Sequence, residues 1–517
     1  MNRKSDHMFC KFPAGIQLVI QAFLFSLFLV TGAGAAPEPG TVTIVLAAEP
    51  ATLDPGDSAK SNVGYVIENN VMQHLTELNA DGSVSPSLAT SWKKVDANTW
   101  QFVLRKGVKF HDGEEFNANA VLFNFKRLYD QRIPIQARTK FFGGIEMTGK
   151  ALDSHTLEIR TEKPQLLMPT LMSILSICSP NTPLDKLTRN PIGTGPYKFV
   201  KWDAGTQIVL EAFDGYWGKK PEVKKGVFVW RKESAVRANM VAVGEADLAP
   251  VIALQDARNA GTDSSYLNSE TLRFRIGGKW LPPLNDKRVR MALNYAIDRD
   301  ALRGSIVSKD VIPAGQMVGP SIVGRNPELK AWPYDPKKAK QLLDEARKDG
   351  VPVDKEILLL NRMGMFAGDE EFGEAAMSMY RAVGLNVKFK NMEAGQYTRY
   401  QVKPFPTTDE AYLLMDQHDN SKGDAAFTAY YLYSCNGMSS PFCDKSLDDQ
   451  IEKAQVSADA ERRNGFQAVF KRVHEDVVSE VVLFHMVGYT RVGPRINYKP
   501  DVFTSNQIRL DKIGFKH

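Results

Sequence analysis

The residues with most chemistry to offer are few and scattered. Cys435 and Cys443 lie eight positions apart in Cys435-Asn436-Gly437-Met438-Ser439-Ser440-Pro441-Phe442-Cys443, where Gly437 and Pro441 let the chain reverse. Two thiols at that spacing favour a short disulfide loop in an oxidising compartment, and the segment holds too few further ligands for a zinc site. Cys178 has no such neighbour and reads as a buried thiol. His111-Asp112 supplies two metal donors, but its place after a β-patterned run and before Gly113 makes a tight turn the simpler reading. Gly193-Thr194-Gly195 resembles a phosphate loop until Pro196, which removes a backbone donor that such a cradle needs; it reads instead as a turn between domains. The chain has no G-x-x-x-x-G-K-S/T, G-x-S-x-G, H-E-x-x-H or helix-opening G-x-G-x-x-G. Scattered acids could form a hydrolase pair, but a sequence does not set two carboxylates face to face. The balance moves to binding: no catalytic residue, no metal ligand set and no cofactor are assigned.

The chain that must position such residues has 517 of them, 43% apolar and 24% charged, which is globular and long enough for roughly two to four domains. With 65 basic against 60 acidic residues and no block of like charge, a nucleic-acid partner is not expected. Arg3, Lys4 and Lys11 precede an apolar run over residues 16–30, followed by small residues and the site Ala33-Gly34-Ala35. That is the layout of a secretory signal peptide cleaved near Ala35, over residues 1–35; the run is short of the ~20 residues that span a bilayer. Cys10 precedes the run, so it is not the lipidated cysteine of a lipoprotein.

Periodicity then predicts a strand over 41–46, a helix over about 63–75 and a turn at Asn79-Ala80-Asp81-Gly82. Trp100, Phe102 and Leu104 alternate ahead of Lys106-Gly107 and residues 108–110, which predicts a hairpin. Asn117 is placed to cap a helix carrying Val121, Phe125 and Leu128. Strands are expected over 197–202, 207–212 and 224–230. Helices are expected from Asp286, from Asp298 and from Asp335-Pro336. Beyond these come a strand at 357–360, helix 373–383, strand 386–390, helices near 396–402 and 458–477, and strand 481–487. The alternation argues for an α/β layer.

Taken in order, several segments resemble the bacterial extracellular solute-binding proteins of the peptide/nickel/opine class, the receptors of ABC importers. They are Thr52-Leu53-Asp54-Pro55, Leu75-Thr76-Glu77-Leu78 with Asp81-Gly82, and Leu88-Ala89-Thr90-Ser91-Trp92. Trp100-Gln101-Phe102-Val103-Leu104-Arg105-Lys106-Gly107-Val108-Lys109-Phe110-His111-Asp112-Gly113 is the most specific. Gly193-Thr194-Gly195-Pro196-Tyr197 and residues 289–300 and 334–346 agree. Ala120 departs from the family, which has Asp there, at a cost in capping. The resemblance implies an α/β, two-lobed periplasmic-binding-protein fold with an inserted extra domain in the first lobe. Residues 36–78, 190–275 and 488–517 would form the first lobe, 79–189 the insertion and 276–487 the second lobe.

The resemblance also implies the role. A monomer in the periplasm would close on a small-molecule ligand, expected to be a peptide, and hand it to an inner-membrane ABC permease. An opine, an oligosaccharide or a metal chelate would suit the same scaffold, and a secreted hydrolase is the competing class. Family peptide receptors hold the ligand with a Trp-x-x-Asp stretch; here Met415 stands in place of the Trp and Asp419 lies one residue beyond the expected Asp. The ligand-binding candidates are thus Met415, Asp416, His418 and Asp419, with Arg399 to pair a carboxylate. His485 lies on a crossing strand, Arg362 follows strand 357–360, and Tyr65 ends a loop lining the cleft. An interlobe crevice is expected around Met415 and His485.

Overall fold

The computed structural model describes residues 38–516 apart from residues 59, 143–144, 278–279 and 458. The expected signal peptide lies outside the described residues. Among these residues, one 11-stranded sheet organises the chain, and two long strands occupy its middle. The first crossing strand, Asp263–Ile276, pairs antiparallel with the second, Glu480–Val492. Toward one edge the sheet continues through Leu248–Ile252, Thr41–Leu46, Lys225–Trp230, Gln207–Ala212 and Tyr197–Asp203. Toward the other it continues through Ala411–Asp419, Ile357–Arg362 and Val387–Met392. Thr41–Leu46 and Ile357–Arg362 are buried along nearly their whole length, as expected of parallel strands covered on both faces. The two halves of the sheet carry separate cores. In one, Phe274 is wholly buried between Phe372 and Tyr380, with ring centroids 6.0 and 6.2 Å away. Burying such a ring is worth about 2–3 kcal/mol.

A second sheet of four antiparallel strands runs in the order Ala89–Lys94, Thr99–Leu104, Thr156–Thr161, Met147–Asp153. The expected hairpin is corrected here: Thr99–Leu104 turns back on Ala89–Lys94, and residues 108–110 form no strand. Gly107 takes φ +73° and sends the chain out of the sheet, while the Leu104 N–H is taken by the His155 carbonyl. Val108 and Phe110 alternate because they plug the core. The helix expected over 63–75 is shorter, Ser61–Ile67. Asn69 takes a left-handed φ of 57°, and the Asn70 carboxamide donates to the Tyr65, Val66 and Ile508 carbonyls, closing the helix. The helix expected over 458–477 is α-helical only over Asp459–Arg472, with one π turn after it.

The capping predictions hold. Asn117, Asp298 and Asp335 accept from the backbone N–H groups of Ala120, Ala301 and Lys338. The Gly193-Thr194-Gly195 run proves to be a close crossing of backbones. A Cβ on Gly193 or Gly195 would sit 2.0 Å from the Val71 carbonyl oxygen or 2.2 Å from that of Asn70. No helix of the described residues is long and apolar enough to cross a membrane.

Asp54, in the Leu53-Asp54-Pro55 motif, is fully buried and receives two hydrogen bonds from Arg127 at 2.9 and 2.6 Å. It also accepts from the Thr188 and Gly56 N–H groups, so one carboxylate binds three separate segments. Arg127→Met should therefore lower the unfolding free energy by about 3–5 kcal/mol in urea denaturation, because the carboxylate would stay buried without its cation. A loss under about 1 kcal/mol would contradict this. On the second crossing strand, burial pushes the His485 ring down to about 4, and Arg325 acts in the same direction. The unfolded ring titrates at its ordinary 6.5, so between these pH values the unfolded chain binds the extra proton. Stability is complete above pH 6.5 and falls as pH drops toward 4. His485→Gln should remove a component on the order of 3 kcal/mol from that acid loss, measured as the difference between variant and parent over this window.

Candidate functional site

A polar cavity of about 50 Å³ lies where the segments at 58–78, 137–141 and 503–507 meet the loop after Ala411–Asp419. Its walls carry both signs of charge. Glu68, half-buried at the end of the short helix Ser61–Ile67, lies 3.1 Å from His74 Nε2. Burial pushes its carboxyl up, but His74 and Lys422 outweigh that and hold it below the usual carboxylate range. Ser176 Oγ donates to Ser58 Oγ at 3.1 Å and lies 3.4 Å from His74 Nε2. Glu77 is paired with Arg509. Across the cavity are Ser421 and Lys422; the Lys422 ammonium sits 4.4 Å above the centre of the Phe141 ring. Such walls can meet a solute with cationic and anionic groups by charge-assisted hydrogen bonds, made stronger as water leaves. Among the described residues no group of three His, Cys, Asp or Glu is placed to hold a metal ion.

The residues singled out from sequence fall into three places. None of them lines the cavity itself; Asp419 is tied to its wall, its carboxylate accepting from Ser269 Oγ at 2.8 Å and from the N–H and Oγ of Ser421 at 2.7 and 2.9 Å. His418 is one strand position earlier, with Nε2 2.9 Å from Thr428 Oγ1 and its ring stacked on Tyr431. A second set is interior. Met415 is wholly buried, and the cavity described above is lined by Ser421 and Lys422. Asp416 accepts from Arg273 Nη2 at 2.9 Å and from Tyr397 and Gln401; burial raises its carboxyl, and Arg273 and Arg275 bring it below the ordinary value. His485 Nδ1 is 2.9 Å from Thr271 Oγ1. Tyr65 lies on the helix Ser61–Ile67 and not on a loop; it donates to the Ser505 carbonyl at 2.6 Å, and burial raises its hydroxyl, while Ser58, just before that helix, does reach the cavity. The third set is peripheral: Arg399 is exposed on Ala394–Gln401, and the Arg362 guanidinium lies 5.9 Å over the Tyr397 ring. Cys435 and Cys443 are bonded sulfur to sulfur, with Cα atoms 4.5 Å apart, and Cys178 is buried.

Glu68, His74 and Lys422 were not foreseen. Glu68 and His74 interrupt an apolar pattern that reads as one helix, and Lys422 ends the polar run after Met415. Those interruptions are the signal that was there to be used.

Residues 83–440 match the family described as "Bacterial extracellular solute-binding proteins, family 5 Middle". The dipeptide-binding protein of Escherichia coli is 28% identical over 453 residues, 80% of this chain and 83% of that one. Two solved structures share the architecture. The ABC transporter substrate binding protein CtaP of Listeria monocytogenes superposes with TM-score 0.81 at 21% identity, covering 92% of this chain and 99% of its own. The periplasmic binding protein DppA of Helicobacter pylori, solved with the peptide STSA, superposes with TM-score 0.73 at 22% identity, covering 93% and 98%. The fold is thus the two-lobed α/β fold of periplasmic binding proteins. With a continuous sheet centred on two long strands and a family match over most of its length, the chain belongs to the family 5 bacterial extracellular solute-binding proteins, which are binding components of ABC transporters and not enzymes.

Proposed function

We propose that this protein is the periplasmic receptor of an ABC importer for short peptides, acting as a monomer that closes two lobes on its ligand and delivers it to an inner-membrane permease. The observation that carries the reading is the amphoteric cavity, with Glu68 and His74 on one wall and Lys422 on the other. A short peptide presents an ammonium and a carboxylate a few ångströms apart, and such walls can meet both. The Escherichia coli relative is named for dipeptides, which supports the same class. Asp419 is the proposed ammonium anchor, since its two oxygens hold the loop that forms the wall; Asp416 is committed to Arg273 and supports it from behind. Met415, His418 and His485 belong to that support, and Arg362 and Arg399 are left for longer ligands. Tyr65 holds the opposite wall.

The lobes proposed are residues 36–78, 190–275 and 488–517 for the first, 79–189 for its insertion, and 276–487 for the second. Export with cleavage near Ala35 brings the chain to an oxidising compartment, where the Cys435–Cys443 bond persists.

Closure is favoured only by a ligand that binds the closed form better. Purified protein should therefore release peptide into acidified solvent, identified by mass spectrometry. That peptide, added at about 100 times its Kd, should raise stability by about 2.7 kcal/mol and be recovered intact. Lys422→Met should weaken its binding roughly 10- to 100-fold, the range for one charge-assisted hydrogen bond. Recovery of an opine, a sugar or a metal chelate would overturn the peptide assignment, and consumption of the peptide would indicate a hydrolase.

A further inference from the structure

The loop that walls the cavity is tied to the first crossing strand where that strand is least regular. Between Leu267 and Thr271 the first crossing strand advances while its partner moves only from Val487 to His485, so residues 268–270 bulge. A bulge bends and twists its strand. The same stretch begins the ladder with Ala411–Asp419, pairing Glu270 with Asp419 and Thr271 with His418. Asn420 comes next and is 6% exposed. Its N–H donates to the Ser269 carbonyl at 2.8 Å. Its carboxamide donates to the same carbonyl at 3.1 Å and to the Met317 carbonyl at 2.9 Å, and accepts from Thr428 Oγ1 at 2.9 Å. Ser421 and Lys422 follow directly and face the cavity.

We infer that Asn420 is a positioning residue: through it, a bend of the first crossing strand at 268–270 carries Ser421 and Lys422 toward or away from the opposite wall. This rests on the closing-lobe reading above. A buried carboxamide committed to three segments does not rotate without leaving buried groups unpaired, so strand and loop move as one body. Asp419, bonded to both Ser269 and Ser421, runs beside it as a second tether. Lys422 thus reaches Phe141 from a braced loop, and the geometry of the wall is set by the crossing strand.

Hydrogen exchange of the unliganded full chain, followed by mass spectrometry, tests this. In Asn420→Ala and Asn420→Asp the amides of 421–424 and those of 268–271 should exchange at least tenfold faster and together, while 272–276 keep parental rates. Thr428→Val, which removes one bond to Asn420, should give a smaller change in the same two segments, and it serves should either Asn420 variant fail to fold. Faster exchange at 421–424 alone, a uniform rise across the half of the sheet that holds Ala411–Asp419, or no change would overturn the proposal. No ligand is present, so failure of the peptide reading would show separately, as a different molecule released from the parent protein.

Discussion

Arg273 is almost fully buried on the first crossing strand, between Asp416 and Glu480. Three charges buried together demand that each find its partner, and here the partners lie on three adjacent strands. Arg273 is directly opposite Asp416 in one ladder, and Glu480 is opposite Arg275 in the other. A slip of one residue in either ladder would turn a charge onto the wrong face and leave the others unpaired. Tyr397 and Gln401 hold the free oxygen of Asp416, and Tyr433 donates to Glu480. Arg275, also fully buried, is held by the Tyr400, Gln401 and Ser439 carbonyls and the Ser439 hydroxyl. That last contact links the crossing strand to the disulfide loop.

The cavity depends on this register. The strand Ala411–Asp419 is set by the Arg273 pairing at its middle and released from the sheet only after Asp419, so Ser421 and Lys422 emerge at one defined place. The turn at Asn79–Gly82 meets the same loop. Gly82 and Gly423 both have positive φ and pack backbone to backbone, and a Cβ on Gly82 would lie 2.7 Å from the Gly423 oxygen. Glu68 lines the same cavity as Lys422: burial pushes its carboxyl up, but His74 and Lys422 hold it below the usual carboxylate range. The result is a small volume walled largely by polar and charged groups.

Much of the architecture was legible because its determinants are local. Asn117, Asp298 and Asp335 announce helices by a hydrogen bond within three residues, and the strands at 41–46, 197–202 and 207–212 show in a short pattern of apolar residues. The ordered set of motifs was enough to indicate the family. Where local pattern failed, a distant group had intervened: Asn69 and Asn70 close the first helix with help from the Ile508 carbonyl, and His155 takes the N–H that a hairpin at 108–110 would have needed.

The site divides along the same line. Sequence alone, through its ordered motifs, indicated the family and with it a two-lobed fold and a binding role in place of catalysis, and it drew attention to the stretch at 415–419. Only the tertiary structure decided where the members of that stretch go. Period-two alternation says that neighbours point to opposite faces, but both faces of this strand are covered, so Met415 goes to a core and Asp416 to Arg273. Glu68 and His74 are near neighbours in the chain, but Lys422 lies more than 340 residues beyond them, and bringing it to the same cavity is a property of the folded chain.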